Sequence, residues 1–287
     1  MNAICPACPP TSNDLKLSPM GRVIAVVNQK GGVGKTTTTI NLSAALARLG
    51  RKVLIIDTDP QGNATSGCGV DKHGLEATLY DVFNGVFNLS SIIVGTTQNG
   101  LWVAPSNPDL VGIEVELSGV AGREQILKTQ IERLTSQFDY VILDCPPSLG
   151  IITVNSLVAA DSVLVPLQCE YYALEGISSL LNTIDLAQKQ LNSHLEVEGV
   201  VLTMFDARTN LARQVAEEAK SFFNDKLFQT VIPRTVRLSE APSFGKNIFE
   251  YDELSAGAKA FILLARELEK RRDARAPDQV LKRAINQ

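Results

Sequence analysis

The residues best placed to do chemistry sit in one short loop that carries two lysines. Residues 30–37 read KGGVGKTT, directly after the apolar run RVIAVVN and directly before an amphipathic stretch. Gly34, Lys35 and Thr36 supply the GK[ST] end of a phosphate-binding loop. In such a loop backbone N–H groups cradle phosphates, the lysine meets β and γ oxygens, and the hydroxyl ligates Mg²⁺. Gly31, Gly32 and Gly34, with Val33 among them, permit the close backbone approach. Thr37 falls in the helix N-terminus, whose free N–H groups favour an α-phosphate. The start of the motif is irregular: Gln29 stands where the pattern has glycine, and Lys30 adds a second cation.

A phosphate cradle that hydrolyses its ligand also needs carboxylates at the ends of neighbouring strands, facing metal and water. Asp144 closes the run YVILD and precedes Pro146 and Pro147, which is where a carboxylate would hold Mg²⁺ through its water shell. The run VLIID leads into DTDPQGN and places Asp57 and Asp59 at a carboxyl edge, where open α/β sheets bind ligands.

The elements that must position these groups are legible as apolar runs at 22–28, 53–57, 140–144, 162–167 and 199–205, with helical patterns between them. Near-continuous apolar strands indicate a sheet buried on both faces. Helices are predicted over 36–49, closed by Gly50, and over 173–190. The expected fold is α/β: a P-loop NTPase with a mostly parallel, doubly wound sheet flanked by helices on both faces. One domain is expected over 21–270, preceded by a poorly ordered leader (1–20) and followed by a polar tail (271–287).

With 287 residues the chain can bury a full core. It has no apolar run near the ~18 residues of a membrane span and no basic-then-apolar signal peptide, so a cytoplasmic location is expected. A net charge of −4 gives no overall attraction to nucleic acid, so any such binding must come from a local patch. Of five cysteines, Cys5 and Cys8 form a CxxC in the Pro-rich leader, with no second CxxC to complete four thiolates. Cys68, Cys145 and Cys169 read as small buried or half-buried residues.

The segments KGGVGKTTT, DTDPQGNATSG, DCPPSLG, QCEYYALEG, LTMFDARTN and VIPRTVRLSEAPSFGK resemble, in order, the ParA (Soj) branch of the ParA/MinD deviant Walker A ATPases. The resemblance spans 21–270 and implies a partitioning ATPase for chromosomes or plasmids, with ATP and Mg²⁺ as cofactors. It implies that Lys30 crosses a homodimer interface to the partner's nucleotide, that Asp59 positions or activates the attacking water and touches the Mg²⁺ shell, and that Asp57 serves folding or an indirect metal contact. Pro233 and Thr235 match positions facing adenine, with threonine where relatives carry asparagine. Arg208 and Arg237 match arginines that touch double-stranded DNA without sequence preference, and Lys246 is a further candidate. A ParB-type centromere-binding partner, nucleoid association and no stable membrane association are implied as well.

The segment 206–246 also holds Arg213, Lys220 and Arg234, but nearby acids nearly cancel the cations, so composition alone does not mark a DNA surface. Two other readings compete. An Fe–S carrier or scaffold of the same superfamily would use Cys5 and Cys8. A MinD-like membrane-cycling regulator would need an amphipathic C-terminal helix, for which 275–287 offers a small apolar face and no aromatic anchor.

Overall fold

The computed structural model describes residues 21–72, 74–170 and 173–285, with side chains described for all of these but 173–179 and 275–285. The leader with Cys5 and Cys8 lies outside the described residues.

A sheet of seven strands forms the centre: β1 (Arg22–Val26), β2 (Val53–Asp57), β3 (Val94–Gly95), β4 (Leu101–Ala104), β5 (Tyr140–Asp144), β6 (Ser162–Gln168) and β7 (Glu196–Thr203). Their order is β3-β4-β2-β5-β1-β6-β7, parallel throughout except for β3 against β4. β1 is central, and the chain leaves it in one direction towards β2 and β4 and later returns to place β6 and β7 on the other side. Ligands of open α/β sheets bind beyond the carboxyl ends at this reversal.

Alternation along the strands divides the core in two. Val23 and Ala25 of β1, Leu54 and Ile56 of β2, and Val141 and Leu143 of β5 join one buried cluster. Ile24 and Val26, Val53 and Ile55, and Tyr140 and Ile142 join the other. Both faces are covered, which is why these strands read as unbroken apolar runs.

Helix α1 (Lys35–Arg48) follows β1, and its buried Leu42, Ala45 and Leu46 share a cluster with Phe261, Leu264 and Leu268 of the last helix, Ala256–Ile285. That helix runs on past residue 270. Gly50 ends the α1 segment at φ 85, its N–H donating to the Ala47 carbonyl at 2.9 Å. On the other face lie Ile151–Ala159, Ala173–Gln190 and Asn210–Phe223.

The structure departs from the sequence reading at two places. The run expected over 199–205 starts earlier and stops at Thr203, because Met204 takes a left-handed φ of 50 that breaks the extended chain. Strands β3 and β4 were not foreseen. They are two and four residues long, too short to show a period.

Candidate nucleotide site

The loop after β1 is held from below. Asn28, buried at its base, donates from Nδ2 to the Pro166 carbonyl of β6 at 2.8 Å and accepts the Lys30 N–H on Oδ1 at 3.0 Å. Gly32 and Gly34 adopt φ 74 and 88, a region that costs a side chain dearly, so the loop's curl depends on glycine here. A Cβ at Gly31 or Gly32 would meet open space, which leaves the rim of the loop free for a ligand. Gly34 begins α1, and the first-turn N–H groups of any helix lack intrahelical acceptors and carry the positive end of its dipole.

Lys35 is 7% exposed, and its Nζ reaches the Lys30 carbonyl at 3.3 Å. Burial lowers its pKa, opposed by the charges of Asp144 and then Asp59. A desolvated cation without an anion of its own in the loop is what a phosphate would satisfy.

Asp57 and Asp144 are register partners on β2 and β5, both fully buried, yet they do different work. One oxygen of Asp57 accepts the Thr65 N–H and the Thr65 hydroxyl, each at 2.7 Å, and the other accepts the Asp59 N–H at 3.2 Å. Asp57 thus ties down the 59–65 loop. Asp144 accepts the Thr36 hydroxyl at 2.8 Å and the Thr39 hydroxyl at 3.0 Å. Burial first, then the Asp57 charge, pushes its carboxyl above the usual range, with the two hydroxyls opposing. Asp59, 9% exposed, lies nearer the mouth, where it accepts the Gln61 N–H at 2.9 Å. Thr36, Asp59 and Asp144 form a set of hard oxygens in a site rich in negative charge, and this donor chemistry fits Mg²⁺.

The Lys30 side chain is engaged by a carboxylate just beyond the end of β6. Its Nζ pairs with Glu170 Oε2 at 2.7 Å, at 43% and 47% exposure. Pro233 and Thr235 connect to the loop only through intermediaries. The Phe205 N–H donates to the Ile232 carbonyl at 3.0 Å, the Arg234 N–H donates to the Phe205 carbonyl at 3.1 Å, and two residues before Phe205 the Thr203 hydroxyl donates to the Val33 carbonyl at 2.8 Å. Thr235 uses its hydroxyl to cap the helix Val236–Glu240.

Arg208, 88% exposed, is held on both carboxylate oxygens of Asp206, at 2.8 and 2.7 Å. Arg237, 55% exposed, lies between Glu240 and Asp252, 3.4 Å from each, and over the Tyr251 ring. Lys246 is exposed. Each arginine lies three residues beyond the Phe205–Arg234 hydrogen bond, so the fold brings both to one end of the sheet. Both are charge-compensated within the chain.

The AAA domain family model matches residues 21–197. Over 249 residues the chain is 55% identical to the sporulation initiation inhibitor protein Soj of Bacillus subtilis strain 168, covering 87% of this chain and 98% of that protein. The chain belongs to the Soj/ParA family of P-loop ATPases. The chromosome partitioning protein ParA of Myxococcus xanthus strain DK1622 is 50% identical over 258 residues, covering 90% of this chain and 91% of that one. Among solved structures, cobyrinic acid a,c-diamide synthase from Mycobacterium smegmatis with bound ADP and magnesium superposes with a TM-score of 0.77 at 39% identity, covering 86% and 93% of the two chains.

Membership of the Soj/ParA family makes the supporting residues worth naming, since sequence reasoning passed over Asn28, Thr39, Thr65, Glu170 and Thr203. Asn28 alone carried a signal, as a polar residue closing an apolar strand. Among the described residues no group of three or more His, Cys, Asp or Glu is arranged to hold a metal, and Cys68, Cys145 and Cys169 are buried thiols.

Proposed function

We propose that this chain is an ATP-driven partition switch: it binds ATP with Mg²⁺, pairs as a sandwich dimer, binds DNA without sequence preference, and lets go after hydrolysis to ADP and phosphate. The observation that carries this reading is the division of the two lysines. Lys35 is buried with its Nζ on the Lys30 carbonyl, whereas Lys30 is nearly half exposed and paired with Glu170.

The cradle N–H groups of Gly31, Gly32, Val33 and Gly34 hold the phosphates, Lys35 neutralises their β and γ oxygens, and the Thr37 end of the first turn faces the α-phosphate. Thr36 would hold Mg²⁺ through its hydroxyl, and Asp59 and Asp144 would be the carboxylates that hold its water shell. The metal, when bound, neutralises charge on the β and γ oxygens. Asp59 orients the attacking water from the mouth of the site. Pro233 and Thr235 lie along the base.

Lys30 exchanges Glu170 for the phosphates of the partner's nucleotide, so dimer stability follows the charge on the γ-phosphate. Two copies of Arg208, Arg237 and Lys246 then make a surface for DNA phosphates, salt-dependent and indifferent to base identity. A ParB-type partner accelerates slow turnover, and the active form resides on the nucleoid in the cytoplasm. Among the described residues no helix is long and apolar enough to cross a membrane.

The test combines size-exclusion chromatography with DNA binding. Asp59→Ala with ATP should run as a dimer that holds arbitrary duplex DNA, and Arg208→Glu or Arg237→Glu should keep the dimer and lose the DNA. A monomeric Asp59→Ala with ATP would overturn the catalytic assignment. Unchanged DNA binding in the arginine variants would overturn the DNA surface.

A further inference from the structure

The end of β7 joins the phosphate loop to Arg208 by an unbroken series of contacts. Thr203, the last residue of the strand, is 3% exposed, and its hydroxyl donates to the Val33 carbonyl at 2.8 Å. Its Cβ and Cγ2 lie 3.8 Å from where a Cβ on Gly34 would stand, so its side chain packs directly under the loop. A shift of residues 33 and 34 therefore reaches Thr203 through the Thr203–Val33 hydrogen bond, with the Thr203 side chain standing beside Gly34.

Met204 follows with φ 50, one of two non-glycine residues in the left-handed region among the described residues. An unbranched residue takes this conformation only where contacts on both sides impose it. On one side stands the Thr203–Val33 bond. On the other, Phe205 is fixed at both backbone groups, its N–H to Ile232 and its carbonyl to Arg234.

Asp206 comes next. Its carboxylate accepts the Arg208 backbone N–H at 3.1 Å as well as the guanidinium, and its carbonyl accepts the Thr209 N–H and hydroxyl at 3.1 and 3.0 Å. The direction of Arg208 is therefore set by Asp206, which follows the left-handed Met204 by two residues.

We infer that Thr203 is a positioning residue that transmits the state of the phosphate loop to Arg208, so that each subunit's DNA affinity answers to its own nucleotide in addition to dimer formation. The inference rests on the DNA-binding reading proposed above. It assigns the left-handed Met204 a purpose: it is the pivot at which a small loop displacement becomes a reorientation of the Asp206–Arg208 pair.

The test uses the full chain with Asp59→Ala as parent, so that ATP is not consumed and dimer fraction can be matched by analytical ultracentrifugation. Affinity for an arbitrary duplex is read by fluorescence anisotropy, and ATP affinity with a fluorescent analogue. Thr203→Val removes the hydroxyl while keeping the shape. It should weaken DNA binding by the saturated dimer about tenfold, the order expected for one lost buried hydrogen bond, while ATP affinity moves by less than about threefold. Thr203→Ser should bind DNA within about twofold of the parent.

A Thr203→Val dimer with parental DNA affinity overturns the inference, and so does an equal loss of ATP and DNA affinity, which would make Thr203 a plain support of the loop. If Thr203→Val does not fold, Met204→Gly decides: it relaxes the pivot, leaves the Thr203–Val33 bond in place and removes a side chain that stands beside Gly34, so DNA affinity should fall while ATP affinity moves by less than about threefold, and parental DNA affinity or an equal loss of both overturns the inference. A parent dimer that itself ignores DNA defeats the DNA reading instead, and is recognised before any Thr203 variant is compared.

Discussion

Asn28 should matter as much as the motif residues it supports, and the structure gives the size of the effect. Replacing it with Ala removes two hydrogen bonds, to the Pro166 carbonyl and from the Lys30 N–H. Pro166 is buried, so its carbonyl loses a partner that water does not replace, at a cost of about 1–3 kcal/mol. Lys30 is exposed, and its N–H can be resolvated for roughly 0.5–1 kcal/mol. The total, about 1.5–4 kcal/mol, should lower Tm by about 3–16 °C at roughly 2–4 °C per kcal/mol for a chain of this size. Asn28→Asp makes the sharper comparison. It keeps an acceptor for Lys30 but sets a carboxylate oxygen against the Pro166 carbonyl, so at neutral pH it should be less stable than Asn28→Ala. Burial raises the pKa of the introduced carboxyl in the folded state above its unfolded value. Its penalty is therefore largest above that raised pKa and shrinks as pH falls through it, the opposite trend to an ordinary salt-bridged Asp. Urea unfolding of both variants at neutral and mildly acid pH reads this directly. Asn28→Asp as stable as the parent at neutral pH would refute the assigned hydrogen bonds. ATP-dependent dimerisation should fall in both, because the tether sets where Lys30 leaves the loop.

Other consequences are simpler to state. Lys30→Ala should leave nucleotide binding by the single chain largely intact and stop dimer formation with ATP; normal dimers by light scattering would rule out action in trans. Glu170→Gln frees Lys30 from a half-exposed ion pair and should change dimer affinity by no more than about fivefold, in line with the ~0–1 kcal/mol of such pairs. At the opposite edge of the sheet, fully buried Glu198 pairs with Arg22 and accepts the Ser162 hydroxyl at 2.8 Å. Glu198→Ala should cost about 3–5 kcal/mol in urea unfolding, because it leaves the Arg22 charge buried.

The sequence carried the centre of the fold because β1, β2, β5, most of β6 and the second half of β7 are buried and so appear as apolar runs. It did not carry β3 and β4, whose few residues are placed by pairing, β4 with β2 and β3 with β4, rather than by any local pattern. The site divides on the same line. Chemical groups that are close in sequence, such as Lys35 with Thr36 or Asp57 with Asp59, were legible. Their second partners were not: Asn28 meets Pro166, Thr39 meets Asp144 and Thr203 meets Val33 only once strand register is set. The compensation of Arg208 by Asp206 was open to reading, two residues apart in DAR. It was passed over because a charge count weighs a segment and not a pair.

The position of Lys30 bears on how a two-lysine loop can work as a switch. A cation needed by the partner's nucleotide must be held ready without being trapped. A buried ion pair with Glu170 would make its transfer costly, since breaking such a pair strands a desolvated charge. An unpaired lysine on a flexible stem would lose side-chain entropy on docking. The observed pair is a middle case, because both side chains are nearly half exposed, so water solvates Glu170 as soon as Lys30 leaves. The Asn28 tether meanwhile fixes the backbone from which Lys30 extends. Exchange of one half-exposed carboxylate for a more highly charged triphosphate is then favourable, and for a diphosphate less so. In the proposed dimer, the sensitivity of assembly to the γ-phosphate would reside in the weakness of the Lys30–Glu170 pair as much as in the strength of the contact that replaces it.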